Sequence, residues 1–182
     1  MDTASVSLRT LARVRDLCFF RAGPQDLPYS PRAVIALLIV GAVLEAIFDL
    51  HQGSGAAVVV SANLGALAAL GTLRLLLRWR GKPERFVQTA LALLSSGLLF
   101  EALVLPLLLY VGHPTDPSAV TGAQLLAALA VFLLLLWQTG ISARILRTAL
   151  QIPLPGAVLA LFALGFVDVC AIVLFATAFG AT

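Results

Sequence analysis

The chain has 182 residues, of which 60% are hydrophobic and 12% charged, and its net charge is +3. Soluble domains average about 45–50% apolar and about 25% charged residues, so this composition excludes an ordinary soluble protein. A mean hydropathy of +1.02 agrees. The basic residues fall in short segments around apolar stretches, where membrane orientation explains them better than nucleic acid does. We therefore predict one polytopic membrane domain whose partner is the lipid bilayer, and no nucleic acid.

Residues 1–31 are predicted to form a cytoplasmic amphipathic helix and a proline-rich linker. Apolar side chains recur at three- and four-residue spacing along residues 3–21, and arginines occupy the other side. Such a helix is expected to lie flat on anionic lipid. Packing on a protein partner or on the bundle itself is the alternative. The linker follows because its prolines restrict the backbone.

Residues 32–182 contain five apolar stretches, each suited to a bilayer core of about 30 Å. The spans run over about 32–50, 56–77, 86–111, 122–141 and 153–179. In the second span, Ser61, Gly65 and Ala69 form the small-residue pattern that lets helices approach closely. The predicted fold class is all-α: a membrane helical bundle of five transmembrane helices plus the N-terminal interfacial helix.

The third span is expected to lie at the centre of the bundle. It runs from Phe86 to Val111 without a basic side chain, and it contains Glu101 and Pro106. An ionisable group is costly in hydrocarbon and tends to face the bundle interior. Pro106 leaves the carbonyl of Ala102 without its usual donor.

The charge pattern predicts the orientation. All twelve Lys and Arg residues lie before the first span, between spans two and three, or between spans four and five. By the positive-inside rule the N-terminus is cytoplasmic and the C-terminus is periplasmic or extracellular. The bias towards Arg, Ala, Leu and Gly is typical of a GC-rich bacterial genome, so we expect the bacterial inner membrane.

The basic segment between spans two and three is first a determinant of topology. Binding of anionic lipid headgroups on the cytoplasmic side is a second interpretation. Its residues are Arg74, Arg78, Arg80, Lys82 and Arg85.

Four polar side chains on four spans are predicted to share one level of the membrane. These are Glu45, Asn63, Glu101 and Asp168. At the helical rise they lie roughly 20–23 Å from the cytoplasmic ends of their spans. A glycine precedes each acidic residue by about one turn (Gly41, Gly97 and Gly165), which is expected to admit a facing helix and bring the carboxyl groups together.

The polar layer has two interpretations. No Lys or Arg lies at its depth, so the three carboxyl groups cannot all stay ionised. They either form interhelical hydrogen bonds, with Asn63 as a candidate partner, or they bind a cation or relay protons. The sequence contains no nucleophile–base pair, cofactor motif or Cys/His spacing of a metal site. We therefore expect no enzyme activity, no catalytic residues, no cofactor and no metal.

The segment Asp26-Leu-Pro-Tyr-Ser-Pro31 resembles the Asp-Leu-Tyr-Gly-Pro element that introduces the membrane region in the Yip family of Ypt/Rab-interacting membrane proteins. Here Pro28 precedes Tyr29 and Ser30 replaces glycine. Five spans with a cytoplasmic N-terminus are also similar to that family. The resemblance implies a non-enzymatic membrane organiser.

Two functions follow as hypotheses. The first is an inner-membrane accessory or scaffold protein of the Yip-like type, acting through helix packing and cytoplasmic contacts with other membrane proteins or a second copy of itself. The alternative is a small proton- or cation-coupled channel or transporter that uses the intramembrane carboxylate layer.

Overall fold

The computed structural model describes residues 12–51, 56–112 and 121–178, which contain helices and turns and no strand. The first helical residues in this part are 12–18, here called α1. The longer helices are α2 (Pro31–His51), α3 (Ala56–Trp79), α4 (Phe86–Val111), α5 (Gly122–Leu150) and α6 (Leu154–Ala178). Short 3-10 turns occupy Pro24–Asp26 and Pro83–Arg85. Residues 1–11 of the predicted N-terminal helix lie outside the described residues.

Helices α2 to α6 are each long and apolar enough to cross a membrane. Large apolar side chains cover their outer surfaces; Phe166 and Leu159 on α6 are 71% and 69% exposed. Contiguous apolar surface of this kind is rare on soluble monomers and suits contact with lipid. The all-α fold class with five candidate spans is therefore confirmed, and the chain is an integral membrane protein.

Helix α4 lies between α2 and α5 and also contacts α3. Its buried residues recur along the face that these neighbours cover, from Thr89 to Val104. Helix α6 instead packs mainly on α3. The expected central position of α4 is thus confirmed for its contacts with α2, α3 and α5, but α4 does not pack extensively on α6.

The contact between α3 and α6 is the most extensive one between two helices in the described part of the chain. Ser61 and Gly65 are buried there. A Cβ placed on Gly65 would lie 2.7 Å from Asp168 Oδ1 and 2.7 Å from Ile172 Cγ1. The close helix approach that the small-residue pattern of the second span predicts is therefore confirmed at Gly65, where α3 packs closely on α6.

Helix α5 continues to Leu150, well past residue 141, where the fourth span was predicted to end. The reason is an apolar face that continues past the first arginine of this segment: Ile145, Leu146, Ala149 and Leu150 are all buried. The helix stops at Gln151, which has left-handed backbone angles and donates its N–H to the carbonyl of Arg147.

The N-terminal segment packs on the bundle. Val14, Leu17 and Cys18 are buried in one cluster with residues of α2, α4 and α5. Phe19 meets the Trp137 ring edge-on, with 5.5 Å between the centroids. The apolar side of residues 12–18 thus faces protein and not lipid, which favours the bundle-packing alternative over a helix held to lipid by its apolar face.

The described basic side chains gather at one end of the bundle. We call the end formed by residues 74–86 and 144–154 the basic end. Two core clusters fix this grouping, since one joins Val34 to Leu91 and Ile145, and the other joins Leu77 to Leu150. The basic side chains of α1, the start of α2, the end of α3 and the end of α5 therefore all lie at or beside the basic end.

Candidate functional site

Three members of the predicted polar layer line one cavity of ≈ 180 Å³ between α2, α3 and α4. They are Glu45, Asn63 and Glu101, and the remaining lining is apolar side chains with Gly41 and Gly97. A water molecule takes up about 30 Å³ in the liquid. The cavity therefore has room for a hydrated ion or a few waters beside two carboxyl groups.

Glu45 and Glu101 line the same cavity, but their carboxyl groups are not joined to each other. Within the described ranges, no side-chain hydrogen bond or ion pair involves Glu45, Glu101 or Asp168. Asn63, the expected partner, donates its amide N–H to the carbonyl of Val59 in its own helix at 2.8 Å. The hydrogen-bonded network between helices is therefore not formed.

Asp168 does not line the cavity. Its side chain lies at the α3–α6 contact against Gly65. The glycine expected to make room for it, Gly165, has no atom of another helix within 4 Å of a Cβ placed on it, so that prediction was wrong. Gly65 of the facing helix α3 makes room for Asp168 instead.

The other two glycines face different neighbours. A Cβ on Gly41 would lie 3.4 Å from Leu98 Cδ2, so Gly41 does bring α2 and α4 together. A Cβ on Gly97 would lie 3.8 Å from Gln138 Nε2, so Gly97 faces α5. Of the three predicted glycine contacts, only that of Gly41 brings one acid-bearing helix against another.

Gln138 is a polar residue of the bundle whose importance the sequence did not reveal. Its Oε1 atom is buried without a hydrogen-bond partner among the described residues. A buried unpaired acceptor is costly, since the group has lost its contact with water. The amide of Gln138 interrupts a long apolar stretch, which was a signal in the sequence. Because that span was predicted to end at residue 141, only three residues later, burial of Gln138 was not expected.

The basic segment after α3 holds the end of α5. Arg85 Nη1 donates to the carbonyls of Thr148 at 3.2 Å and Ala149 at 3.4 Å. Arg80 donates to the carbonyls of Leu150 and Gln151, and Lys82 donates to the Gln151 side chain. Cations stabilise the carbonyl end of a helix. Three of the predicted headgroup ligands therefore have a structural role.

The other two basic residues of the segment differ from each other. The Arg74 guanidinium lies over the Phe86 ring, 5.7 Å from its centroid. Arg78 is exposed, and within the described ranges its side chain has no partner. Arg78 is therefore the member of the segment that is freest to meet a lipid headgroup.

The described residues contain no group of three or more His, Cys, Asp or Glu side chains placed to hold a metal ion. Comparison of the chain with protein-family models, curated proteins and solved structures gave no match. The cavity lined by Glu45 and Glu101 and the basic end are therefore the two candidate functional regions in the described part of the chain.

Proposed function

We propose that the protein is a non-enzymatic accessory or scaffold protein of the bacterial inner membrane, with its basic end in the cytoplasm. The observation that carries the proposal is the construction of that end. Gln88 Nε2 donates to the carbonyl of Leu27 at 3.0 Å, which ties the linker to α4. Arg85 ties the turn before α4 to α5. Segments far apart in sequence thus form one packed surface.

Such a surface suits recognition, because a preformed surface loses less conformational freedom on binding. Trp79 is 82% exposed at this end, beside the exposed Arg78. Trp and Arg are the side chains that most often dominate protein contacts, although Trp also anchors helices at the membrane interface. The partner in this proposal is another membrane protein or a second copy of the chain.

The linker supports the same role. Leu27 is buried in the core, whereas Tyr29, two residues later, is 66% exposed. In the segment that resembles the Yip element, one residue therefore anchors the linker and another remains available for contact. A membrane organiser of the Yip-like type is the function that this resemblance implies.

Site-specific photocrosslinking in intact cells tests the scaffold role. A photoreactive amino acid at Trp79 is expected to give a discrete protein adduct, while the same residue at Phe166 on the outer face of α6 gives lipid adducts only. Adducts with lipid alone from both Trp79 and Tyr29 would overturn the proposal.

A second candidate is a proton- or cation-coupled channel or transporter. The observation that favours it is that Glu45 and Glu101 line one cavity and have no hydrogen-bond partner in the described part of the chain. Ionisable side chains inside a membrane most often mark an ion or proton pathway.

Flux measurements in liposomes test this candidate. The purified protein is given sodium, potassium or proton gradients, and the flux is followed with ion-sensitive dyes. Glu101→Gln should abolish the flux, whereas Asp168→Asn should preserve it, because Asp168 lies outside the cavity. Absence of flux with the native protein under every gradient would exclude the candidate.

A further inference from the structure

A second, larger cavity lies at the basic end. It is an open cleft of ≈ 720 Å³ between the linker, the start of α4 and the end of α5. Ligand pockets usually measure about 300–1,000 Å³. Three arginines, Arg85, Arg144 and Arg147, line the cleft together with glutamine and threonine side chains, and no lining residue is acidic.

The positive charge of the cleft is not balanced by the protein. In the described part of the chain, none of these three arginines forms an ion pair with a carboxylate; the ion pair found there joins Arg15 to Asp16. The carbonyl end of α5 offsets about half a unit of charge, and Arg85 already donates to it. The nearby Asp26 does not line the cleft, and its carboxylate accepts the N–H of Gly23.

The side chains of two of the arginines, Arg144 and Arg147, form no hydrogen bond or ion pair in the described part of the chain. The Arg144 guanidinium lies over the Phe20 ring, 5.6 Å from its centroid. Arg147, one turn later on the same exposed side of α5, has no side-chain partner among the described residues. Like charges three residues apart on a helix repel, so an anion between them would relieve an unfavourable pair.

We infer that the cleft binds a phosphate group, with Arg144 and Arg147 as the principal donors. The planar guanidinium matches phosphate geometry and donates two parallel hydrogen bonds, which makes arginine the usual residue for this ligand. Basic pockets between membrane helices bind anionic lipid headgroups. A lipid headgroup and a free phosphate compound offer the same chemistry. The inference goes beyond the scaffold proposal and does not depend on it.

Two probes distinguish the sources. Purified protein in detergent is titrated with inorganic phosphate, followed by calorimetry, and with phosphatidylglycerol, followed by native mass spectrometry of the retained lipid. Diacylglycerol with the same acyl chains, which lacks the phosphate, is the lipid control. Arg144→Gln and Arg147→Gln are compared with Arg32→Gln, an exposed arginine beside the same end that does not line the cleft.

Each cleft variant should weaken binding of the responding probe about tenfold or more, as expected for loss of a charge-assisted hydrogen bond. Arg32→Gln should stay within about twofold of the native protein. If the cleft variants weaken only the binding of phosphatidylglycerol, the ligand is a lipid headgroup. If they weaken only the binding of inorganic phosphate, the ligand is a soluble phosphate compound.

Equal weakening by Arg32→Gln would overturn the inference, since it indicates diffuse attraction to a basic surface. Equal retention of diacylglycerol, or no binding of either phosphate probe, would also overturn it. The unfolding temperature of each variant controls for folding. If Arg144→Gln unfolds because the contact with Phe20 is lost, the binding measured for Arg147→Gln tests the inference by itself.

Discussion

Gly65 lies where α3 and α6 pack too closely to admit a Cβ without a shift of the neighbouring atoms. We expect Gly65→Ala to destabilise the protein by about 1–3 kcal/mol, the usual cost of forcing extra atoms into a packed site. The new Cβ would meet Ile172 and the backbone oxygen of Asp168 as well as its side chain. The measurement is reversible unfolding in mixed micelles.

Gly71→Ala in the same helix is the matched control. A Cβ on Gly71 has no atom of another helix within 4 Å, so this change should be neutral or should stabilise α3 by up to about 1 kcal/mol. Equal destabilisation by both substitutions would contradict a specific steric requirement for glycine at the α3–α6 contact.

Cys18 provides a test of burial at the basic end. It lies outside the spans and is only 4% exposed, and burial raises the pKa of its thiol above the usual value. The folded protein therefore holds this proton more tightly than the unfolded chain does. The resulting stabilisation is full below the unfolded pKa and is lost as pH rises through the folded pKa.

We therefore predict that the native protein loses more stability at alkaline pH than Cys18→Ala does, measured as unfolding temperature in one detergent. At neutral pH the Cys18 thiol should also react slowly with maleimide until the protein is unfolded. Parallel pH profiles for the two proteins, or rapid labelling of Cys18 in the folded state, would contradict its burial.

For single residues, the sequence identifies candidate polar and small side chains but not the neighbours that they contact. The spacing of Gly41 from Glu45 and of Gly165 from Asp168 is nearly the same, yet only Gly41 faces another helix. The reason is that four-residue spacing places residues on one face of a helix but does not determine which neighbour covers that face. The three cavity residues were therefore predictable as polar residues at one depth, whereas the separation of Asp168 from them was not.

Among the elements, α1 and α5 show how an amphipathic pattern can have two explanations. The periodicity of α1 indicates an apolar face and suits lipid or protein equally. Similarly, the fourth span was predicted to end at about residue 141, before Arg144, but the apolar face of α5 continues to Leu150. The helices themselves were predictable from their composition, whereas the partners of these two faces depend on tertiary packing.

The packing of α1 predicts that Leu17→Ala is strongly destabilising. Leu17 is 2% exposed in a cluster with residues of α4 and α5, and truncation of a buried leucine costs about 2–5 kcal/mol. Leu159→Ala on the outer face of α6 is the control and should change the unfolding free energy by less than about 1 kcal/mol. A helix held only by lipid would give a small effect for Leu17→Ala as well.

For the whole molecule, hydropathy and charge predicted the arrangement that the structure shows: five long apolar helices with the described basic residues at one end. This arrangement was predictable because a helix that spans the bilayer core must be apolar over its whole length. The pairing of α6 with α3 was not predicted, since spans of similar hydropathy do not specify their neighbours.

We propose that the chain crosses the membrane five times with its basic end in the cytoplasm, and labelling of single cysteines tests this topology. Single cysteines at Ser54, Ser118 and Thr182 are compared with one at Glu84, an exposed position in the turn before α4, in a background lacking Cys18 and Cys170. Glu84 is preferred to Gly81, whose φ of 68° disfavours any side chain.

An impermeant thiol reagent added to intact cells should label the cysteines at positions 54, 118 and 182. The cysteine at position 84 should react only after the membrane is permeabilised. Labelling of Glu84→Cys in intact cells would contradict both the orientation and the proposed cytoplasmic surface.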